Sequence, residues 1–172
     1  MREATRLLID LGHVDIGMIA ASPSIRPGRV RLEAFRQEMS DAGLTPTPDR
    51  IFAVGETFAH GHRATIEMVM GQRPTAIIAA GNQIVYGAIL ALREQGVDIP
   101  LDMSVIGADH RMLAAVSIPR LTFIDRNLVD VGERAANMLL DLITGRFTGP
   151  PRHQLLPANV VLQGSCSQAR AA

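Results

Sequence analysis

The sequence predicts an α/β fold, a parallel sheet sandwiched between helices on both faces. Three observations carry that expectation. Apolar runs of strand length alternate with segments whose apolar residues recur at helical spacing. Gly12, Gly43, Gly96 and Gly145 each follow such a segment, where a left-handed stop residue belongs. Residues 99–109, I-P-L-D-M-S-V-I-G-A-D, contain the clearest strand. There Pro100 interrupts what precedes it. Residues 104–107 then form an apolar, β-branched run suited to burial on both faces. Gly107 permits a turn at the strand's carboxyl end, with Asp109 just beyond.

The other elements follow in order. Ala4, Leu7, Leu8 and Leu11 share one face of a first helix over 2–11, and residues 14–21 make the first strand. A Pro/Gly/Ser loop over 22–28 leads to a helix over 29–42, in which Leu32, Phe35, Met39 and Ala42 fall on one face. Residues 51–54 form a strand, 55–61 a loop and 62–70 a helix. The strand at 75–80 follows Pro74, and Asn82 is placed to cap a helix that Gly96 ends. After the strand at 103–107 come a loop to Pro119 and a short strand at 121–124. The longest helix spans 128–144, and a last strand lies at 159–163. The remainder, 165–172, is expected to be a disordered tail.

Composition removes several classes of function. A chain of 172 residues with 47% hydrophobic content can bury a real core, and no apolar run is long enough to span a membrane. The formal net charge is +0, which gives no electrostatic reason to expect nucleic acid or anionic lipid. All 17 basic residues are arginine, so a Walker A loop and a Schiff-base lysine are excluded. Cys166 stands alone, which excludes a disulfide framework and a thiolate metal site. No signal peptide is evident at Met1, and a cytoplasmic location is expected. There is no G-x-S-x-G elbow and no G-x-G-x-x-G fingerprint. His60 and His62 flank one glycine but lack a third ligand at useful spacing, and a solvated loop is expected there. Met68 and Met70 read as core. No catalytic residue, metal site or cofactor is expected.

Polar residues instead collect at the carboxyl ends of the strands, where open α/β sheets bind ligands. They are Ser22 and Ser24, then Glu56 and Phe58, then Gly81 and Asn82, then Asp109, then Asp125 and Arg126. Arg29 and Arg31 open the second helix within reach of the same rim. Asp109 either caps the next turn or accepts two hydroxyl hydrogen bonds from a vicinal diol. An aromatic wall, a carboxylate, an amide and one or two arginines suit a sugar or similar polyol. Arginines around one rim favour a sugar acid or sugar phosphate. The alternative is that Arg126 pairs structurally with Asp125 or Asp109.

Four stretches resemble the effector-binding part of LacI/GalR-type transcriptional regulators. They are A-T-R-L-L-I-D-L-G-H-V-D-I-G at 4–17, R-V-R-L-E-A-F at 29–35, P-T-A-I-I-A-A-G-N-Q-I-V-Y-G at 74–87, and 99–109 together with I-P-R-L-T at 118–122. The resemblance implies a periplasmic-binding-protein-like fold of type I, mostly the second, C-terminal lobe plus part of the first. By that likeness 13–122 and 154–163 belong to the second lobe. Residues 1–12 and 123–148 would be remnants of the first, leaving apolar helix surface exposed. It also implies a ligand pocket formed by Arg31, Phe58, Gly81, Asn82, Asp109 and Arg126, and a homodimer formed partly through the helix over 82–95. Operator DNA would be held only through a headpiece that does not precede Met1, so the chain is expected to be N-terminally truncated. Gly81-Asn82 replaces the family's Asn-Asp pair, Ala34 stands where glycine is usual, and His110 replaces a second aspartate. Ligand identity therefore does not carry across. A transporter's sugar-binding protein has the same fold and is the alternative function.

Overall fold

The apolar runs become strands and the helically spaced segments become helices in a computed structural model that describes residues 1–108 and 111–170. The order is α1 (Arg2–Asp10), β1 (Ile16–Ala20), α2 (Arg26–Asp41), β2 (Ile51–Phe52), α3 (Phe58–Met70), β3 (Ala76–Ala80) and α4 (Asn82–Glu94). It continues with β4 (Ser104–Ala108), α5 (Arg111–Val116), β5 (Thr122–Asp125), α6 (Leu128–Ile143) and β6 (Asn159–Val161). One sheet holds all six strands in the order β2-β1-β3-β4-β5-β6. β1 to β5 run parallel, and β6 closes the β5 edge antiparallel.

β1, β3 and β4 are buried at every position, as continuous apolar runs require. The two-residue period of a strand sorts their side chains into two cores. Ile16, Met18, Ile78 and Ile106 meet Leu32, Phe35 and Met39 of α2 on one face. Ile19, Ile77, Ala79 and Val105 meet Met68 of α3 and Ile84, Val85 and Leu92 of α4 on the other. The face under α2 also contains Ala4 and Leu8 of α1, both fully buried. That corrects the expectation that this helix exposes its apolar face. Glu38, buried on α2, takes Arg2 and Arg6 of α1 and fixes the two helices together. α6 is the opposite case. It has no buried residue, and Leu128, Val129, Leu139, Leu140, Leu142 and Ile143 stand exposed.

Three local expectations change. α3 begins at Phe58 rather than His62, because the Thr57 hydroxyl accepts from the His60 N–H and starts the helix earlier. α5 forms inside the stretch expected to be loop. Met68 is core, whereas Met70 is exposed at the end of α3.

Residues 165–170 are also ordered, against the expectation of a disordered tail. Ser165 is fully buried; its Oγ donates to the Val105 carbonyl at 2.6 Å and accepts from the Thr122 N–H at 2.8 Å. The Ser167 N–H donates to Ser104 Oγ at 3.0 Å, and the Ala169 N–H donates to the Leu11 carbonyl at 2.8 Å. His13 closes this junction. Its buried ring places Nδ1 2.9 Å from Thr75 Oγ1 and Nε2 3.0 Å from both Ser104 Oγ and the Ser167 carbonyl. That carbonyl can only accept, so the tautomer protonated at Nε2 fits.

Burial holds the His13 imidazole below its ordinary pKa of 6.5, while the hydrogen bond to the Ser167 carbonyl opposes the shift. The unfolded chain therefore takes up this proton first as pH falls. Stability present above the ordinary histidine value is lost below it, and urea midpoints at about pH 7.5 and about pH 5.5 measure the loss. The native chain is expected to lose more than His13→Gln does. Equal losses would remove His13 as the cause.

Candidate ligand-binding site

Four loops at the carboxyl edge of the sheet surround an open cleft of about 590 Å³. Its wall contains Arg31, Glu56, Phe58, Gly81, Asn82 and Arg126, together with Ile25, Pro27, Thr57 and Gln83. Five of the six residues expected to form a pocket are thus brought together. Asp109 lies outside the described residues. Ser22 and Ser24 are not in the wall and hydrogen-bond to each other at 2.8 Å, and Arg29 is not in the wall either.

Each wall residue is placed by a local feature. α2 starts tight against the loop after β1, because a Cβ on Gly28 would lie 2.2 Å from the Ser22 carbonyl oxygen. Pro27 sits in the first turn, where its missing N–H costs nothing. One turn further on, Arg31 reaches back across the sheet edge, and its Nη1 donates to the Ala80 carbonyl at 2.8 Å. The guanidinium is thereby pinned over the ends of β1 and β3.

Phe58 opens α3 and is 41% exposed, with its ring offset-stacked on His62 at 6.2 Å and 17°. His62 is held in turn by Glu94 at the end of α4, Nε2 to Oε2 2.6 Å. His60 is not in a solvated loop; it is buried under β2, its Nε2 donating to the Phe52 carbonyl at 3.2 Å. The histidine pair is therefore scaffolding for the aromatic wall. Gly81 precedes α4 in extended conformation, and its carbonyl accepts the Val85 N–H. It takes the N-cap place expected of Asn82. Asn82 instead accepts the Gln83 N–H at its own Oδ1, 2.7 Å.

Arg126 lies in the corner between β5 and α6. Its neighbour Asp125 accepts from Arg111 at 2.6 Å and from the Asn127 N–H at 3.0 Å. The Arg111 guanidinium holds the Asp125 carboxyl below the usual carboxylate range, against the opposing effect of burial. The structural alternative that gave Asp125 to Arg126 thus meets a carboxylate already engaged by another arginine.

Thr57, Ile25, Pro27 and Gln83 were not singled out from sequence. Thr57 was detectable as a hydroxyl residue just before a helical pattern, and Gln83 as the neighbour of Asn82. Among the described residues no group of three His, Cys, Asp or Glu side chains is placed to hold a metal ion. What the wall offers is recognition chemistry: two guanidinium groups, a carboxylate, two carboxamides and an aromatic face.

Residues 5–166 match the family described as periplasmic binding protein-like domain. The chain belongs to that family. It has the form that LacI-type transcriptional regulators carry, an α/β effector-binding domain. It is 34% identical over 156 residues to the HTH-type transcriptional repressor PurR of Escherichia fergusonii, covering 90% of this chain and 46% of that protein. The PurR repressor of Haemophilus influenzae is 33% identical over 147 residues, 85% of this chain and 44% of the relative. The chain thus spans less than half the length of these relatives. Among solved structures, a LacI-type putative regulator from Bacillus cereus subsp. cytotoxis superposes with a TM-score of 0.89 at 25% identity, over 98% of this chain and 60% of that one. A CelR–cellobiose complex superposes with a TM-score of 0.86 at 28% identity, over 95% of this chain and 50% of the other.

In this member of the family the cleft depends on a backbone contact between α3 and α4. A Cβ on Gly87 would lie 2.2 Å from the Phe58 carbonyl oxygen, and one on Gly61 2.3 Å from the Ile84 carbonyl oxygen. Gly87→Ala gains about 1 kcal/mol of helix propensity but forces rigid backbone apart, an overpacking cost of up to about 3 kcal/mol. A net fall in melting temperature is expected. A variant as stable as the native chain would show that the helices can separate freely.

Proposed function

We propose that this domain binds a sugar-like effector in the cleft at the carboxyl edge of the sheet, and that the effector alters the whole regulator's hold on operator DNA. The observation that carries the reading is the convergence of Arg31, Arg126, Phe58 and Asn82 on one cleft. The aromatic face suits a sugar ring, and the guanidinium groups suit a carboxylate or phosphate through paired N–H donors. Asp109, the next strand's terminal carboxylate in sequence, supplies the acceptor for a diol. A sugar acid or sugar phosphate satisfies these groups together. The solved CelR complex contains cellobiose, which supports a carbohydrate. The curated relatives are HTH-type repressors, so operator contact belongs to a helix-turn-helix and effector sensing to this domain. Such a regulator works in the cytoplasm. No helix among the described residues is long and apolar enough to cross a membrane.

A homodimer is part of the same reading. Between α4 and α5 lies a groove of about 640 Å³ lined by Ile89, Val97, Leu113, Val116 and Ile118. Beside it Leu90 and Met112 are exposed, and Ile118 is 100% exposed. Apolar side chains so placed favour a second copy. One of the similar solved structures is a dimeric Lac repressor with a TM-score of 0.85.

Thermal-shift measurements with cellobiose, D-glucuronate and D-glucose 6-phosphate test the ligand. At a hundredfold excess over Kd, binding adds about 2.7 kcal/mol, roughly 5–10 °C for a domain this size. D-Glucuronate or D-glucose 6-phosphate is expected to give the shift, and Arg126→Gln to remove most of it. A shift from cellobiose alone would replace the anionic class by a neutral sugar. No shift from any of the three would count against the carbohydrate reading.

A further inference from the structure

We propose that Glu56 and Phe58 form a cation subsite at one end of the cleft, so that the effector is an amino sugar. The proposal deepens the effector-binding reading above and rests on it.

Glu56 is held in place by its neighbours. It lies in the short loop between β2 and α3, and buried His60 ties both ends of that loop. The His60 Nε2 donates to the Phe52 carbonyl at 3.2 Å, and the His60 N–H donates to Thr57 Oγ1 at 3.1 Å. Gly55 rests on the same side chain, where a Cβ would lie 3.4 Å from the His60 Cβ and Cγ. Glu56 is thus an exposed residue on an anchored loop, two positions before Phe58, and both line the cleft.

Its carboxylate is also uncommitted. Asp125 is engaged by Arg111 and Glu94 by His62, whereas Glu56 takes no hydrogen bond or ion pair among the described residues. In water that carboxylate is satisfied by solvent. Covered by a ligand that faces it with no donor, it loses its water uncompensated. The occupant of this end must therefore bring donors. A hydroxyl brings one, and an ammonium brings three together with a positive charge. The aromatic ring decides between them. Phe58 is 41% exposed, and the negative face of its π system attracts a cation far more than a neutral hydroxyl. Carboxylate and ring together select the ammonium.

The rest of the wall has the opposite character. Asn82 accepts the Gln83 N–H at Oδ1, which leaves its amide N–H donors for a ligand. Arg31 and Arg126 add guanidinium donors. In the sheet β1, β3 and β4 separate β2 from β5, so Glu56 and Arg126 reach the opening from opposite ends. An effector that suits both ends is cationic at one and anionic at the other. D-Glucosamine 6-phosphate has this form, because its amine and its phosphate project from opposite sides of one ring.

Calorimetric titration of the 172-residue chain with D-glucosamine 6-phosphate, D-glucose 6-phosphate, D-glucosamine and D-glucose tests the subsite. It is run at about pH 6.5, where such amines are protonated. The native chain is expected to bind D-glucosamine 6-phosphate about five- to thirtyfold more tightly than D-glucose 6-phosphate. Glu56→Gln keeps the shape of the side chain and removes its charge. It is expected to erase most of that ratio by weakening the amino sugar, with D-glucose 6-phosphate bound as before or tighter. Phe58→Leu is expected to reduce the ratio about two- to fivefold. Equal binding of the two phosphates by the native chain overturns the cation subsite and leaves the effector reading standing. A preference that survives Glu56→Gln, or a loss in that variant shared equally by both phosphates, overturns it too. Binding of D-glucosamine alone, abolished by Glu56→Gln, supports the subsite and removes the anionic class. Binding of none of the four overturns the subsite and the carbohydrate reading together.

Discussion

The cleft exists because two helices touch backbone to backbone. At Gly61 and Gly87, α3 and α4 approach so closely that a Cβ on either would meet main-chain atoms of the other at 2.2–2.3 Å. Main chain cannot rotate away as a long side chain can, so this contact sets the relation of the two helices rigidly. Everything at their amino ends inherits it. Thr57 and Phe58 begin one helix, Gly81 and Asn82 precede and begin the other, and all four face the same opening. The His62–Glu94 pair closes the same interface further along and steadies the ring of Phe58 from behind. Cleft-wall residues on loops thus acquire the precision of the packed layer beneath them.

Much of this was legible in the chain, for a physical reason. Buried parallel strands have to be nearly continuous apolar runs, so β1, β3 and β4 announce themselves. A parallel sheet puts successive strand ends on one edge, so residues just past each strand converge without any tertiary information. That is why five residues scattered from Arg31 to Arg126 could be grouped before their positions were known. The grouping of Asp109 with them remains a sequence argument.

What was not legible involves partners rather than patterns. Ser165 and Ser167 read as a polar tail, yet each satisfies buried backbone groups of β4 and β5. Composition shows their polarity but not the donors and acceptors that await them. His60 beside a glycine looks like loop, but the glycine is the contact that draws α4 close, and the histidine is buried with it. α1 shows the same limit from the apolar side. Ala4 and Leu8 mark one face for burial, and only the Glu38 pairing with Arg2 and Arg6 fixes that face against α2.

The balanced charge of the chain conceals a division of labour among its carboxylates. Glu38 answers Arg2 and Arg6, Asp15 and Asp49 answer Arg50, Glu94 holds His62, and Asp125 takes Arg111. The pairs of Glu38, Glu94 and Asp125 each join one element to another. Among the described residues the cleft wall itself carries Arg31, Arg126 and Glu56. A net charge of +0 is a sum over the chain and does not say how its charges are placed. Arginine as the chain's sole strong cation sharpens this. Its fork of donors can anchor on a carbonyl, as Arg31 does on Ala80, while its plane remains directed by that anchor. A lysine could supply the charge but not the fixed direction. The same property lets Arg111 hold Asp125 with two donors on one oxygen, at 3.0 and 2.6 Å.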